Sequence, residues 1–346
     1  MYPLLRRLLF QLEPEQAHSL TLGLMHLAGK SSIIRAILRS IFAVAGKTVQ
    51  VFGLTFPNPI GLAAGYDKDG LGWRGLACLG FGHIEVGTVT PLPQAGNPPP
   101  RLFRLPAQQA LINRMGFPGR GAEFVARQLR GAHPGGLVLG VNLGKGKDTP
   151  LPEAYRDYST LMDVFAPLAD YLVINVSSPN TLGLRQLQAR RELEALLSEL
   201  VRKRNQPSPR MGGGVWGENM KTPLLVKLSP DLNDSELDDA LEVILAAGID
   251  GVIAANTTIQ RDAIAGNPLA GESGGLSGLP LRALSTQMVR KIAQRSGGKL
   301  PIIGVGGVDD AASAREKLDA GASLVQVYTG LVYRGPGLVK IILRGL

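Results

Sequence analysis

From residue 60 onward the chain alternates between short apolar runs of four to six residues and longer stretches with leucine or alanine at three- and four-residue spacing. A short apolar run bounded by polar residues or glycine marks a strand buried on both faces, whereas the longer spacing lays one apolar stripe along a helix. The strand-like runs fall at residues 60–64, 83–87, 137–142, 171–176, 224–228, 251–255, 302–305 and 324–328. Helical stretches occupy 155–168, 191–204, 234–247, 281–294 and 311–320. Eight strands with helices between them predict an α/β fold, a (β/α)8 TIM barrel. A doubly wound open sheet is the other way to arrange such units, but no Gly-x-Gly-x-x-Gly fingerprint follows the first strand.

Residues 1–47 lack this alternation. Leucines and isoleucines at helical spacing are interleaved there with six Lys or Arg and two Glu. The pattern predicts a helical extension, 1–47, ahead of a barrel domain, 48–346. A basic amphipathic helix pair lies in the interface of an anionic membrane without spanning it; helices packed on the barrel are the other reading. The longest apolar runs, such as 41–46 and 20–28, are far short of the roughly 20 residues a bilayer requires. No secretory signal is evident in the first ten residues. The stretch 206–220, with two Pro and four Gly, reads as a flexible insertion before strand five.

Length and composition add three constraints. A chain of 346 residues, 45% hydrophobic, suits one large domain with an appendage. Its single cysteine, Cys78, excludes an internal disulfide and a multi-cysteine metal site, and its apolar setting at 76–79 reads as a buried thiol in a reducing compartment. The net charge of +9 favours an anionic partner: a nucleotide, a nucleic acid or a membrane surface.

Polar residues then gather at the predicted C-terminal strand ends, the face where barrels build their sites: Lys68, Thr88, Asn142, Asn175, Lys227, Asn256 and Thr329. Each alone is a cap or turn residue, but seven at equivalent places make a site. An ammonium on or beside a buried strand is costly unless a negative or electron-rich group neutralises it, so Lys68 and Lys227 point to an anionic ligand. The glycine runs 274–278 and 304–307 let backbone amides approach a phosphate. After strand four, Asn175-Val176-Ser177-Ser178-Pro179-Asn180-Thr181 sets the hydroxyl of Ser178 between two uncharged amides, suited to a planar, amide-like substrate; an Asx or Ser turn is the competing reading.

Five motifs carry a resemblance: Ala63-Ala64-Gly65-Tyr66-Asp67-Lys68, Gly87-Thr88-Val89-Thr90-Pro91, Asn113-Arg114-Met115-Gly116-Phe117, the run 175–181, and Gln326-Val327-Tyr328-Thr329-Gly330. Together, from about Pro14 to the C-terminus, they resemble the dihydroorotate dehydrogenase family. Ser178, where the soluble class carries Cys, and the helical extension resemble its class 2, the quinone-dependent and membrane-associated enzymes. The resemblance implies one bound FMN, oxidation of dihydroorotate to orotate in pyrimidine synthesis, and a quinone as co-substrate. It implies Ser178 as the base. It places Lys68, Asn113, Arg114, Met115, Gly116, Phe117, Asn175, Asn180, Asn256 and Thr257 around the substrate. Ala64, Gly65, Lys68, Thr88, Asn142, Asn175, Lys227, Ala255, Gly278, Gly307, Tyr328 and Thr329 fall at FMN positions, and His18, Arg104 and Tyr328 at the quinone site. Ala255 departs from the family's usual Thr. Loop 182–189 is read as a lid. The implied setting is a monomer, peripheral on the cytoplasmic side of the cell membrane, with no nucleic acid and no metal. Two rival readings are a flavin-dependent tRNA-modifying reductase, which requires a cysteine acid near the flavin, and a non-enzymatic flavin-binding scaffold on a membrane.

Overall fold

The computed structural model describes residues 2–206 and 221–346, so the expected insertion at 206–220 lies outside the described residues except for Gln206. Eight parallel strands close into a barrel: β1 (Ile60–Leu62), β2 (His83–Val89), β3 (Val138–Leu143), β4 (Tyr171–Asn175), β5 (Leu224–Leu228), β6 (Gly251–Ala254), β7 (Ile302–Val305) and β8 (Leu324–Val327). They pair in chain order, and β8 closes on β1 with Gln326 opposite Gly61. Nearly every strand residue is buried, as strands covered on both faces require. The predicted runs match all eight. β2 and β3 extend two and one residues further than expected, to Val89 and Leu143, which puts Thr88 inside its strand and Asn142 one residue short of its strand's end.

A hairpin, Val49–Val51 with Leu54–Phe56, packs Leu54 and Phe56 against the first residues of the strands, among them Val138 and Tyr171, and closes the N-terminal end. Over the other end lies a small antiparallel sheet of Leu102–Leu105, Ala110–Asn113 and Gly275–Gly278. The glycine run 274–278, read above as a phosphate-binding loop, is largely the third strand of this sheet. Part of its backbone is therefore engaged in sheet pairing, and the Leu276 amide donates to the Thr258 carbonyl at 2.7 Å, while Gly278 at the strand end stays on the cavity wall.

The extension is three helices: α1 (Tyr2–Leu9), α2 (Pro14–Lys30) and α3 (Ser32–Phe42). Pro14 opens α2, and the Ser31 hydroxyl caps α3 by accepting from the Ile34 amide at 3.3 Å. α2 packs backbone to backbone on the helix Trp73–Leu76: a Cβ at Gly75 would lie 2.1 Å from the Met25 carbonyl oxygen. α1 and α3 bury no residue completely, while Leu4, Leu8, Leu27, Ile33 and Ile37 among others stay exposed. Full burial of one such side chain is worth roughly 1.5–3 kcal/mol, so the apolar outer face of these helices leaves much burial unrealised. No helix among the described residues is long and apolar enough to cross a membrane.

Candidate functional site

A cavity opens to solvent where the strands end. The turn after β1 brings Ala64, Gly65 and Lys68 to its wall. Thr88, Asn175 and Lys227 come from β2, β4 and β5, and Ala255, Asn256 and Thr257 from the end of β6. Gly307 follows β7, and Tyr328 and Thr329 follow β8. The small sheet contributes Asn113 and Gly278 and, just beyond, Met115, Gly116 and Phe117, while Ser178 and Asn180 enter from the loop after β4. One barrel face thus collects nearly all the residues expected of substrate and cofactor.

Hydrogen bonds fix the polar wall. Asn175 Nδ2 donates to Thr88 Oγ1 at 3.1 Å and to Asn142 Oδ1 at 3.0 Å, and Thr88 Oγ1 donates to the same oxygen at 2.6 Å. Asn256 Nδ2 donates to Ser177 Oγ at 2.9 Å, and Asn180 Nδ2 to Asn113 Oδ1 at 3.0 Å. Ser178 is buried, and among the described residues its Oγ accepts only from the Asn180 amide, at 3.2 Å. Arg185 holds the loop from beneath, donating to the carbonyls of Ser177 (3.1 Å) and Thr257 (3.0 Å) while pairing with Asp231 at 2.9 Å. That anchoring narrows the expected lid. Within 182–189, Leu184, Leu187 and Gln188 are buried in or beside a short helix, while Leu182, Gln186 and Ala189 are exposed.

The two lysines differ. Lys68 donates to the Gly65 carbonyl at 2.7 Å, and removal of water by the surrounding protein lowers its pKa to about 8, against the pull of Glu15 and Asp69. Lys227 does not wait for a ligand to neutralise it: its Nζ lies 3.7 Å from the fully buried carboxylate of Glu85. Glu85 escaped the sequence reading and Gln326 entered it only as part of a motif, with no role, although each is a polar residue inside an apolar strand run.

Four expected residues, Asn142, Arg114, Arg104 and His18, do not line the cavity. Asn142 lies behind it, joining Thr88 and Asn175 to Glu85. Arg114 turns away, pairs with Glu272 and stacks over Phe103 at 4.6 Å, lining an outer recess beside Pro98 and Leu182. Arg104 donates to the Leu12 carbonyl at 2.7 Å and stacks over Phe10 at 4.6 Å, at the junction of α1 and α2. His18 reaches the cavity edge only through aromatic contacts, meeting Tyr66, which in turn meets Tyr328. Burial and the nearby Lys68 lower the His18 pKa to about 4.

The site fits a flavin mononucleotide. Gln326 Oε1 is buried on the cavity wall with no hydrogen-bond partner among the described residues. Gly307 takes φ +70° on the cavity wall, where a Cβ would lie 2.4 Å from Arg282 Cβ, so this turn requires a glycine and carries no side chain.

Comparison with known proteins agrees. The pattern of the dihydroorotate dehydrogenase family matches residues 47–346. The chain is 49% identical over 340 residues to dihydroorotate dehydrogenase (quinone) of Thiobacillus denitrificans, covering 98% of this chain and 97% of that one. It is 48% identical over 348 residues to the dihydroorotate dehydrogenase (quinone) of an Anaeromyxobacter species, covering 100% and 92%. Its fold superposes on the crystal structure of the Eimeria tenella enzyme in complex with ferulenol with a TM-score of 0.87, at 36% identity and covering 98% and 93% of the two chains. With that likeness along nearly its whole length, and with a serine in the loop that follows β4, the chain belongs to the dihydroorotate dehydrogenase family, in its quinone-dependent class 2.

Proposed function

We propose that the cavity binds dihydroorotate against FMN and that Ser178 removes the C5 proton as the molecule is oxidised to orotate, the electrons passing on to a quinone. The carrying observation is the buried Ser178 hydroxyl, set among Asn113, Asn175, Asn180 and Asn256 with few protein hydrogen bonds of its own. When bound, FMN supplies the two-electron acceptor for the C6 hydride and the outlet to quinone. The residues do the rest. The four asparagines match the donors and acceptors of a cyclic imide, and Lys68 meets the substrate carboxylate. Phe117, buried beside Gly144, excludes water, so the hydroxyl acts in a desolvated setting. Thr181, on the same turn, has a buried hydroxyl without a partner among the described residues and is the next acceptor for the proton. Thr88, Asn175, Lys227, Gly307, Tyr328 and Thr329 hold the cofactor, with Asn142 fixing Thr88 and Asn175 from behind; at Ala255 the methyl group donates no hydrogen bond to it.

Residues 1–47 form the quinone-binding and membrane-facing part. Their exposed leucines and isoleucines, beside Arg7, Arg35 and Arg39, suit insertion into the interface of an anionic bilayer from the cytoplasmic side. The tRNA-reductase reading loses its support, because Cys78 is buried in the short helix Ala77–Leu79, with its thiol donating to the Arg74 carbonyl at 3.4 Å, and does not line the cavity. A visible spectrum tests the reading: the yellow protein bleaches on adding dihydroorotate anaerobically and regains its colour with quinone. A scaffold would hold the colour and show neither change.

A further inference from the structure

Glu85 is a carboxylate with no solvent exposure inside the barrel, and it does not touch the cavity itself. Its contacts reach three other strands. Oε1 accepts from Asn142 Nδ2 of β3 at 2.6 Å and lies 3.7 Å from Lys227 Nζ of β5; Oε2 accepts from Gln326 Nε2 of β8 at 2.7 Å. Lys227 and Gln326 line the cavity, and Asn142 holds Thr88 and Asn175, which line it too. One buried charge therefore orients much of the wall that faces the ring system and balances the ammonium within it. A buried carboxylate is expensive, and nothing about closing the barrel demands one.

We propose that Glu85 is a positioning residue that sets the reduction potential of the flavin. This rests on the assignment of the cavity to FMN. By pairing with Lys227 and fixing Asn142 and Gln326, the carboxylate offsets part of the positive field that would otherwise stabilise the anionic reduced ring, and so keeps the potential low enough for electrons to leave toward quinone.

Glu85→Gln keeps the shape and removes the charge. Asn142 Nδ2 still finds an oxygen, and Gln326, whose Oε1 has no partner among the described residues, can turn its amide to accept from the new one. The test is potentiometric titration of the FMN-loaded full chain by visible absorbance. Loss of the negative charge shifts the two-electron potential positive by about 30 mV or more, a tenfold change in the reduction equilibrium. An unchanged or lowered potential overturns the proposal, as does a folded Glu85→Gln protein that no longer holds FMN. Should that variant not fold, the same charge is read by comparing Lys227→Met with Lys227→Met/Glu85→Gln, where the double variant has the higher potential; equal potentials overturn the proposal there. If the unsubstituted protein carries no flavin absorbance at all, the FMN reading itself fails, an outcome distinct from any of these.

Discussion

The ring of Tyr328 meets that of Tyr66 edge-on, with centroids 5.6 Å apart and planes at 71°. Tyr66 meets His18 of α2 in the same way at 5.0 Å and 79°. A continuous aromatic seam thus joins the barrel cavity to the extension, and its outer member is an imidazole that is neutral at physiological pH, having its pKa lowered to about 4. With the quinone bound beside the extension as proposed, a neutral imidazole offers its oxygen a hydrogen bond without placing a charge in apolar surroundings. Loss of such a bond is worth about 1 kcal/mol or somewhat more, so His18→Ala should slow reoxidation by a long-tailed quinone about tenfold. Bleaching by dihydroorotate should keep its rate, and the quinone step should show no titration of His18 between pH 6 and 8. Stopped-flow traces of the two half-reactions decide the matter; equal losses in both would place His18 in the general stability of the fold instead.

Ser178→Ala should retain FMN and slow flavin reduction by about 100- to 10,000-fold, the usual cost of a lost general base. Among the described residues the hydroxyl has the Asn180 amide as its only hydrogen-bond partner, so its removal leaves little else unsatisfied. Ser178→Cys should keep a small activity with a shifted pH profile, because thiol and hydroxyl differ by several pKa units. Stopped-flow reduction at the unsubstituted rate would remove Ser178 from the mechanism.

The eight strands are legible in the sequence because strands buried on both faces must be apolar throughout, and runs of that kind stand out against amphipathic helices. Ser178, Asn175 and Lys227 are legible as polar groups at or near the ends of such runs. Glu85 is harder to see, since its place in the site comes from partners on β3, β5 and β8 that only barrel closure brings together. Arg114 shows the reverse problem. Its motif neighbours Asn113 and Met115 line the cavity, but which way a side chain leaves the end of a strand depends on a partner, here Glu272, just ahead of the strand Gly275–Gly278. That sheet went unread because its third strand is rich in glycine, which ordinarily marks a loop.

Lys317 is fully buried between the helices Arg282–Arg295 and Ala311–Asp319, donating to the Arg282 carbonyl at 2.9 Å and to the Thr286 hydroxyl. Burial lowers its pKa to about 7 from 10.5. Between those two values the unfolded chain holds a proton that the folded one lacks, so this residue makes stability rise with pH across that window, by up to about 1.36 kcal/mol per unit. Below the lower value both states are charged and its penalty is constant. Lys317→Met should flatten the pH dependence of thermal melting between pH 7 and 10, and parallel curves for the two proteins would show that the lysine is not being held neutral.

Deleting residues 1–47 should separate the two half-reactions. The barrel carries the cavity and most of the core, whereas the extension is tied on at discrete points: Tyr2 Oη donates to the Val332 carbonyl at 2.6 Å, Glu15 pairs with Arg101 at 3.0 Å, and Leu22, Met25 and Phe42 pack against the core. The truncated protein should therefore still be bleached once by dihydroorotate and release orotate. Reoxidation by a lipophilic quinone should collapse, because His18 and the apolar helices that would place the quinone beside Tyr328 are gone. Binding to anionic vesicles should weaken by roughly 1 kcal/mol for each basic residue removed from the surface. Removing α2 also bares the helix Trp73–Leu76, so a monodisperse, flavin-loaded sample has to be shown before the kinetics are read. Full-length turnover rates with a long-tailed quinone in such a sample would mean that the quinone reaches the flavin by a route through the barrel alone, and that α1 to α3 serve only to hold the protein at the bilayer.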